Sequence, residues 1–302
     1  MDPAPVGHIP VLARQVCELL AVRAGEVVVD ATVGLGGHAQ LLADSLGPEG
    51  TLIGLDVDPA NLEIARRNLA GFSGRGELLH ANFAELPDAL ASVGLQQVDV
   101  LLADLGISSP QLDDAARGFS FQRDGPLDMR MDPRLTVTAA DLINRLRENE
   151  LGDLFYHNAQ ETAGRRIARF ICEARREGRI TTTGRLVSVI AEALGVDPDS
   201  RKSKIHPATR TFLALRMAVN REIPNLEALL AAAPKLLRPG GRIGVIAFHS
   251  VEDKCVKMDF RARKNEGIYR IVTKKPVVAE VAEREANPRS RSAKLRVAAR
   301  LA

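Results

Sequence analysis

The chain has 302 residues, enough for about two domains and a large core. Hydrophobic residues make up 45% and charged residues 26%, a balance that excludes disordered, collagen-like and disulfide-scaffold proteins. Lys and Arg number 41 against 38 Asp and Glu, and a net charge of +3 does not by itself argue for an acidic partner.

The first third alternates short apolar runs with helical patterns, as a parallel βαβ sheet does. VVVD at 27–30 predicts a buried strand and HAQLLADSL at 38–46 an amphipathic helix. TLIGLD at 51–56 predicts a second strand, PANLEIARRNL at 59–69 a helix and GELLHANF at 76–83 a third strand. VDVLLADLG at 98–106 is too continuously apolar to face water on either side. A loop of turn formers and charges follows at 118–133. From about 139 to 220 the periodicity is helical throughout, in AADLINRLRENELGDLF, ETAGRRIARFICEARREG and RLVSVIAEALG. The βα pattern then resumes. NLEALLAAAPKLLRPGG at 225–241 predicts a helix closed by Pro-Gly-Gly, and RIGVIAFHS at 242–250 a buried strand. IYRIVTKK at 268–275 and LRVAARL at 295–301 are strand-like and able to pair as a hairpin.

The economical arrangement is a discontinuous α/β domain, residues 1–113 and 214–302, interrupted by a helical insert at 114–213. Two consecutive domains with a break near residue 134 are the competing arrangement. Ligands of open parallel sheets bind beyond the carboxyl ends of the strands, where such an insert would serve as a lid or substrate platform.

Asp30-Ala-Thr-Val-Gly34-Leu-Gly36-Gly37-His38 follows the first strand. Glycines at a strand-to-helix turn permit positive φ and close approach of backbone N–H groups, and the helix start attracts an anionic group. Asp56 ends the second strand 19 residues after Gly37, where a carboxylate accepts both hydroxyls of an adenosine ribose. The same glycines also suit tight helix–strand packing, and the turn alone leaves nicotinamide and S-adenosylmethionine both open. A Leu-Arg-Pro-Gly-Gly helix end, a strand and a closing hairpin suit a seven-stranded methyltransferase sheet better than a second βαβαβ half.

Residues 100–132 read VLLADLGISSPQLDDAARGFSFQRDGPLDMRMD. With TVGLGGH, HPATRTF at 206–212, IAFHSVED at 246–253 and NPRSRSAKLR at 287–296, this string resembles the bacterial 16S rRNA (cytosine-N4)-methyltransferase family over nearly the whole chain. The resemblance implies a class I, Rossmann-like S-adenosylmethionine methyltransferase fold with an inserted all-helical domain for substrate recognition. It implies methylation of the exocyclic N4 of a cytosine in the decoding region of 16S rRNA, in the small ribosomal subunit. Carried over by motif, cofactor contacts fall on Gly36, Gly37, His38, Asp56, Phe83, Asp104 and Gln111.

Each has a chemical reason to serve. Phe83 offers a flat apolar face to adenine, though it suits a core position equally. Gln111 offers both a donor and an acceptor, and Asp104 ends the fourth strand, where methyl donor and target base should meet. Asp104 is the expected acceptor of the amine's N–H, with Ser108 and Ser109 as supporters and His249 and Ser250 as the next candidates to line the base pocket. The Asn/Asp/Ser-Pro-Pro-aromatic motif of many DNA amino-methyltransferases is replaced here by Asp104-Leu-Gly-Ile-Ser-Ser-Pro110, so those enzymes' roles do not transfer directly.

Three basic clusters suit phosphate binding. They are Arg201, Lys202, Lys204, Arg210, Arg216 and Arg221; six arginines at 165, 166, 169, 175, 176 and 179; and Arg289, Arg291, Lys294, Arg296 and Arg300. Cys17, Cys172 and Cys255 are too far apart for a disulfide frame or zinc knuckle, and the N-terminus lacks a secretory h-region. The expectation is a cytoplasmic protein without metal or membrane span, as monomer or homodimer. Two rivals share these features: an NAD-linked oxidoreductase, and an assembly factor that binds subunits without methylating them.

Overall fold

A computed structural model describes residues 9–197 and 206–302. The chain divides into two compact units, one running up to Gly106 and resuming as Ile223–Ala302, the other Ile107–Glu222. The helical unit is therefore wider than the expected 114–213, taking in the Ser-Ser-Pro segment and the rest of helix Thr209–Val219.

The first unit is built on one sheet. Its strands are β1 (Val27–Asp30), β2 (Thr51–Asp56), β3 (Arg75–His80), β4 (Val98–Asp104), β5 (Leu237–Ala247), β6 (Tyr269–Ile271), β7 (Val277–Val278) and β8 (Lys294–Arg300). The order is β3-β2-β1-β4-β5-β8-β6, with β7 paired to β8. β1 to β5 run parallel, while β8 runs antiparallel to β5, β6 and β7. The order reverses between β1 and β4, and ligands of such sheets bind beyond the strands' carboxyl ends at that switch point.

Both faces of the sheet are covered, which explains the unbroken apolar runs. Val29, Ile53, Leu101, Ile243 and Val245 face one layer, in which Leu86, Leu90, Leu226, Leu230 and Phe260 are buried. Val28, Leu52, Val100, Leu102 and Ile246 face the other, formed with Val16, Leu20, Leu42, Leu46 and Leu62. At roughly 1.5–3 kcal/mol for each fully buried large apolar side chain, these layers are the main force holding the sheet.

The structure departs from expectation in three places. The helix Glu222–Leu236 ends before Arg238-Pro239-Gly240-Gly241, which lies inside β5. There the pairing with β4 shifts register between Val98 and Val100, and Gly240 takes φ 81°. Pro and Gly thus make an irregularity in a strand rather than a helix stop. A helix over Ser250–Asn265 had no counterpart in the sequence pattern, because its buried residues are few (Glu252, Val256 and Phe260). The run AADLINRLRENELGDLF is two helices, Ala139–Arg145 and Glu148–Ala159, the second started by Glu150 accepting from the Arg147 N–H.

The second unit packs helices Ala139–Arg145, Glu148–Ala159, Gly164–Glu177, Thr183–Leu194 and Thr209–Val219 around Phe155, Ile167, Ile171, Leu186, Ile190, Phe212 and Leu215.

In the first unit, the segment before helix Ala13–Leu20 carries a local strain. Leu12 is fully buried yet takes φ 54°, a left-handed conformation that costs a bulky residue about 1–3 kcal/mol.

Candidate active site

Three aspartates end adjacent parallel strands: Asp30 on β1, Asp56 on β2 and Asp104 on β4. β1 and β2 are in register at Asp30 and Gly54, and β1 and β4 at Asp30 and Leu102. The turn after β1 threads between them. Gly34 and Gly36 adopt φ 52° and 88°, and a Cβ on Gly36 would lie 3.4 Å from the Ala65 backbone. Glycine is needed at Gly36 for its positive φ. The following helix, Gly37–Leu46, starts with no side-chain cap and no acidic residue in its first turn. Its N-terminal N–H groups and dipole therefore make a ready anion site.

Asp56 ties the turn to the sheet. One carboxylate oxygen accepts from the Gly34 N–H at 2.9 Å, the other from the Asp58 N–H at 2.8 Å and Asn61 Nδ2 at 3.2 Å. Burial nevertheless outweighs these bonds and pushes its acidity to about 6. Three of the carboxylate's four lone pairs are thus taken, and the one left, on the oxygen bonded to Gly34, is open to a ribose hydroxyl.

Asp30, which the sequence pattern marks only as the end of a strand, is also part of this cluster. Its Oδ1 accepts from the Thr32 N–H, and its Oδ2 is buried without a partner. Burial pushes its pKa to about 7. A buried carboxyl oxygen beside a glycine turn suits a cationic ligand group. Thr32 in turn accepts the Asp104 N–H at 2.6 Å, fixing the end of β4 against β1.

Asp104 directs Oδ1 to the Gly106 N–H at 3.1 Å and Oδ2 toward His38 Nδ1 at 3.5 Å. His38 is buried, and its Nε2 donates to the Val11 carbonyl at 2.8 Å. Phe248, the residue before the expected His249 and Ser250, lies beside this carboxylate. A Cβ on Gly106 would come within 2.9 Å of its ring and 3.1 Å of Asp104 Oδ1. Phe83 opens a short turn after β3, half-buried against the core, with Asn82 capping it.

His249 sits two residues past the end of β5 as the N-cap of helix Ser250–Asn265. Its Nδ1 accepts from the Glu252 N–H and its Nε2 lies 3.1 Å from Glu252 Oε1, so its ring is engaged in starting that helix. Ser250 is the helix's first residue.

The family model for the MraW methylase family matches residues 5–301. The chain belongs to the MraW methylase family. The protein named ribosomal RNA small subunit methyltransferase H of Syntrophobacter fumaroxidans is 46% identical over 312 residues, covering 98% of this chain and 97% of its own. The protein of that name from Koribacter versatilis is 49% identical, covering 97% and 94%. The sheet order is that of a class I, Rossmann-like methyltransferase, with β8 and β6 as the closing antiparallel pair.

The string that carries the family resemblance most strongly is, over much of its length, framework of the helical unit. A Cβ on Gly118 would meet the Pro126 carbonyl at 2.2 Å, and one on Gly125 the Ala115 carbonyl at 2.0 Å. Arg130 forms a two-pronged bond to Asp128, and Asn220 accepts from the Met131 N–H. Asp124 accepts from the Gly184 N–H, which holds its carboxyl below the usual range. Ser109 and Gln111 belong to the short helix Ser109–Asp113 of this unit; Gln111 is buried and its amide oxygen accepts from the Ser108 N–H.

The basic clusters thin out once partners are counted. Arg175 donates to the Ile143 and Leu146 carbonyls, Arg216 pairs with Glu222, and Arg296 pairs with Asp253 while largely buried. Arg300 donates to the Leu237 carbonyl. Arg166, Arg176 and Arg210 are exposed. Arg201, Lys202 and Lys204 lie outside the described residues.

Proposed function

We propose that this protein transfers the methyl group of S-adenosylmethionine to the exocyclic N4 of a cytosine in 16S rRNA, acting in the cytoplasm on the small ribosomal subunit. The observation that carries the proposal is the convergence of Asp30, Asp56 and Asp104 around an uncapped helix start at one end of the sheet. Membership of the MraW methylase family and the names of its relatives support the substrate.

The residues present fit the cofactor. The helix start at Gly37 and His38 suits its carboxylate, and the unpartnered Asp30 Oδ2 suits its ammonium. Asp56 suits a ribose hydroxyl and Phe83 the adenine face. When bound, S-adenosylmethionine supplies a methyl group on a positively charged sulfonium, an electrophile that needs no metal.

The chain's task is to present the amine. The lone pair of a cytosine N4 is delocalised into the ring, so a hydrogen bond from its N–H to Asp104 helps return that pair to nitrogen. The same carboxylate is placed to take the proton released as the C–N bond forms. Phe248, beside Gly106, offers the base an apolar wall. Holding two reactants in line is worth about 7–11 kcal/mol, and no strong base is required. The helical unit and its exposed arginines would bind the RNA backbone. A cytosine is reachable only when splayed from its stack, which favours a folded subunit as substrate.

The test incubates purified protein with methyl-labelled S-adenosylmethionine and small subunits from a strain lacking it, then digests the RNA to nucleosides. Label in N4-methylcytidine is expected. Cofactor binding with no label would make the protein an assembly factor; NAD binding in its place would make it an oxidoreductase.

A further inference from the structure

We propose that Glu283 is a positioning residue for methyl transfer, acting through residues 9–12, a strap that sets the ring of His38 against Asp104. The proposal rests on the methyltransferase reading above and extends it to a part of the chain remote from the site in sequence.

The strap is held from the C-terminal side of the same unit. Asn287 Nδ2 donates to the Ile9 carbonyl at 2.9 Å, Arg14 bonds to Glu280, and Glu283 Oε1 accepts the Leu12 N–H at 2.6 Å. Leu12 is the strained, fully buried residue at φ 54°. Such a conformation persists only where its surroundings over-determine it, and a short bond from an amide to a carboxylate is a strong determinant.

Fixing Leu12 fixes the peptide group before it. The Val11 carbonyl accepts from His38 Nε2 at 2.8 Å, and Pro10 lies where a Cβ on Gly37 would touch it at 3.4 Å. A carbonyl only accepts, so the ring must carry hydrogen on Nε2. Nδ1 then faces Asp104 Oδ2 at 3.5 Å. Asp104 is thereby flanked on both oxygens, by the His38 ring on one side and by the Gly106 N–H on the other. Loosening the strap frees the ring to turn or change tautomer, and Asp104 loses one of its two guides.

The test compares full-length Glu283→Ala and Glu283→Gln with the unaltered protein. Glutamine keeps an acceptor oxygen for the Leu12 N–H; alanine does not. Turnover on small subunits is measured beside KM for S-adenosylmethionine, and imidazole nitrogen NMR reads the His38 tautomer, with His38→Gln used to assign the resonance. For Glu283→Ala, kcat should fall by roughly ten- to a hundredfold, the scale of a misplaced reacting group. KM should change less, and the signal of a ring protonated at Nε2 should be lost. Glu283→Gln should restore both readouts. Unaltered kcat and His38 signal in Glu283→Ala would overturn the proposal. So would equal losses in both variants that track their melting temperatures. If the unaltered protein transfers no methyl group while Glu283→Ala still shifts the His38 signal, the methyltransferase reading fails and the strap's hold on His38 stands.

Discussion

At the scale of single residues, Asp30 combines a stability penalty with a binding opportunity. Its pKa is raised from 3.8 to about 7 by burial. The folded state therefore binds its proton more tightly than the unfolded chain, and stability falls as pH climbs from about 4 to about 7. Asn mimics the protonated acid and keeps an oxygen for the Thr32 N–H. Asp30→Asn should therefore melt above the unaltered protein at pH 8, with the gap closing toward pH 4, as calorimetry across that range would show. The same variant should bind S-adenosylmethionine more weakly, as titration calorimetry would register; tighter binding would remove Asp30 from the ammonium site. Asp104→Ala should abolish most transfer in a protein that still folds and binds cofactor; near-normal labelling of N4-methylcytidine would refute its role. Gly106→Ala tests Phe248. The added methyl must push on the ring or the carboxylate, so kcat should drop severalfold with little change in melting temperature.

At the scale of elements, one clamp ties the first helix to the sheet. Arg242 on β5 forms a two-pronged bond to Glu26 and donates to the Leu20 and Ala21 carbonyls at the end of helix Ala13–Leu20. Burial tends to raise the Glu26 pKa, but the bonds from Arg242 and the Arg23 N–H carry it below its usual value. That contribution is complete above the unfolded value near 4.5 and is lost as pH falls below it. Both side chains are mostly buried, so Arg242→Ala leaves a charge unpaired and should cost about 3–5 kcal/mol, measurable by urea unfolding.

Much of this level was legible in the sequence. Runs such as VVVD and VLLA encode strands covered on both faces, and the interval from Gly37 to Asp56 encodes the glycine turn and the acid that closes the second strand. Helix Ser250–Asn265 was hidden because its apolar stripe is thin, and the Pro-Gly-Gly of β5 carried the signature of a helix end. The strap was invisible for a different reason. Leu12 and Glu283 are 271 residues apart, and no periodicity reports a bond over that distance. Asp30 was hidden by its own strand, since a carboxylate closing an apolar run does not reveal which of its oxygens lacks a partner.

At the scale of the whole molecule, charge is placed rather than accumulated. With a net of +3, RNA affinity must come from local arginines freed of internal duties. Arg166 and Arg176, exposed on helix Gly164–Glu177, are of this kind. Binding of ribosomal RNA should weaken steeply with salt, and replacing both by Ala should lower the logarithmic salt slope by about 2. A slope unchanged by the pair would move the RNA surface elsewhere.

The position of β8 has a consequence for how the protein comes into being. The last strand of the chain is an interior strand of the sheet, lying between β5 and β6. While the nascent chain is still emerging from the ribosome, β1 to β5 are complete, but the outer edge of β5 has no neighbour to bond. Residues 242–247, RIGVIA, then present an apolar ladder of free N–H and C=O groups, the kind of edge on which chains aggregate. Only when Lys294–Arg300 slots in is that edge closed. A chain stopped a few residues early would thus lose solubility before it lost its cofactor turn.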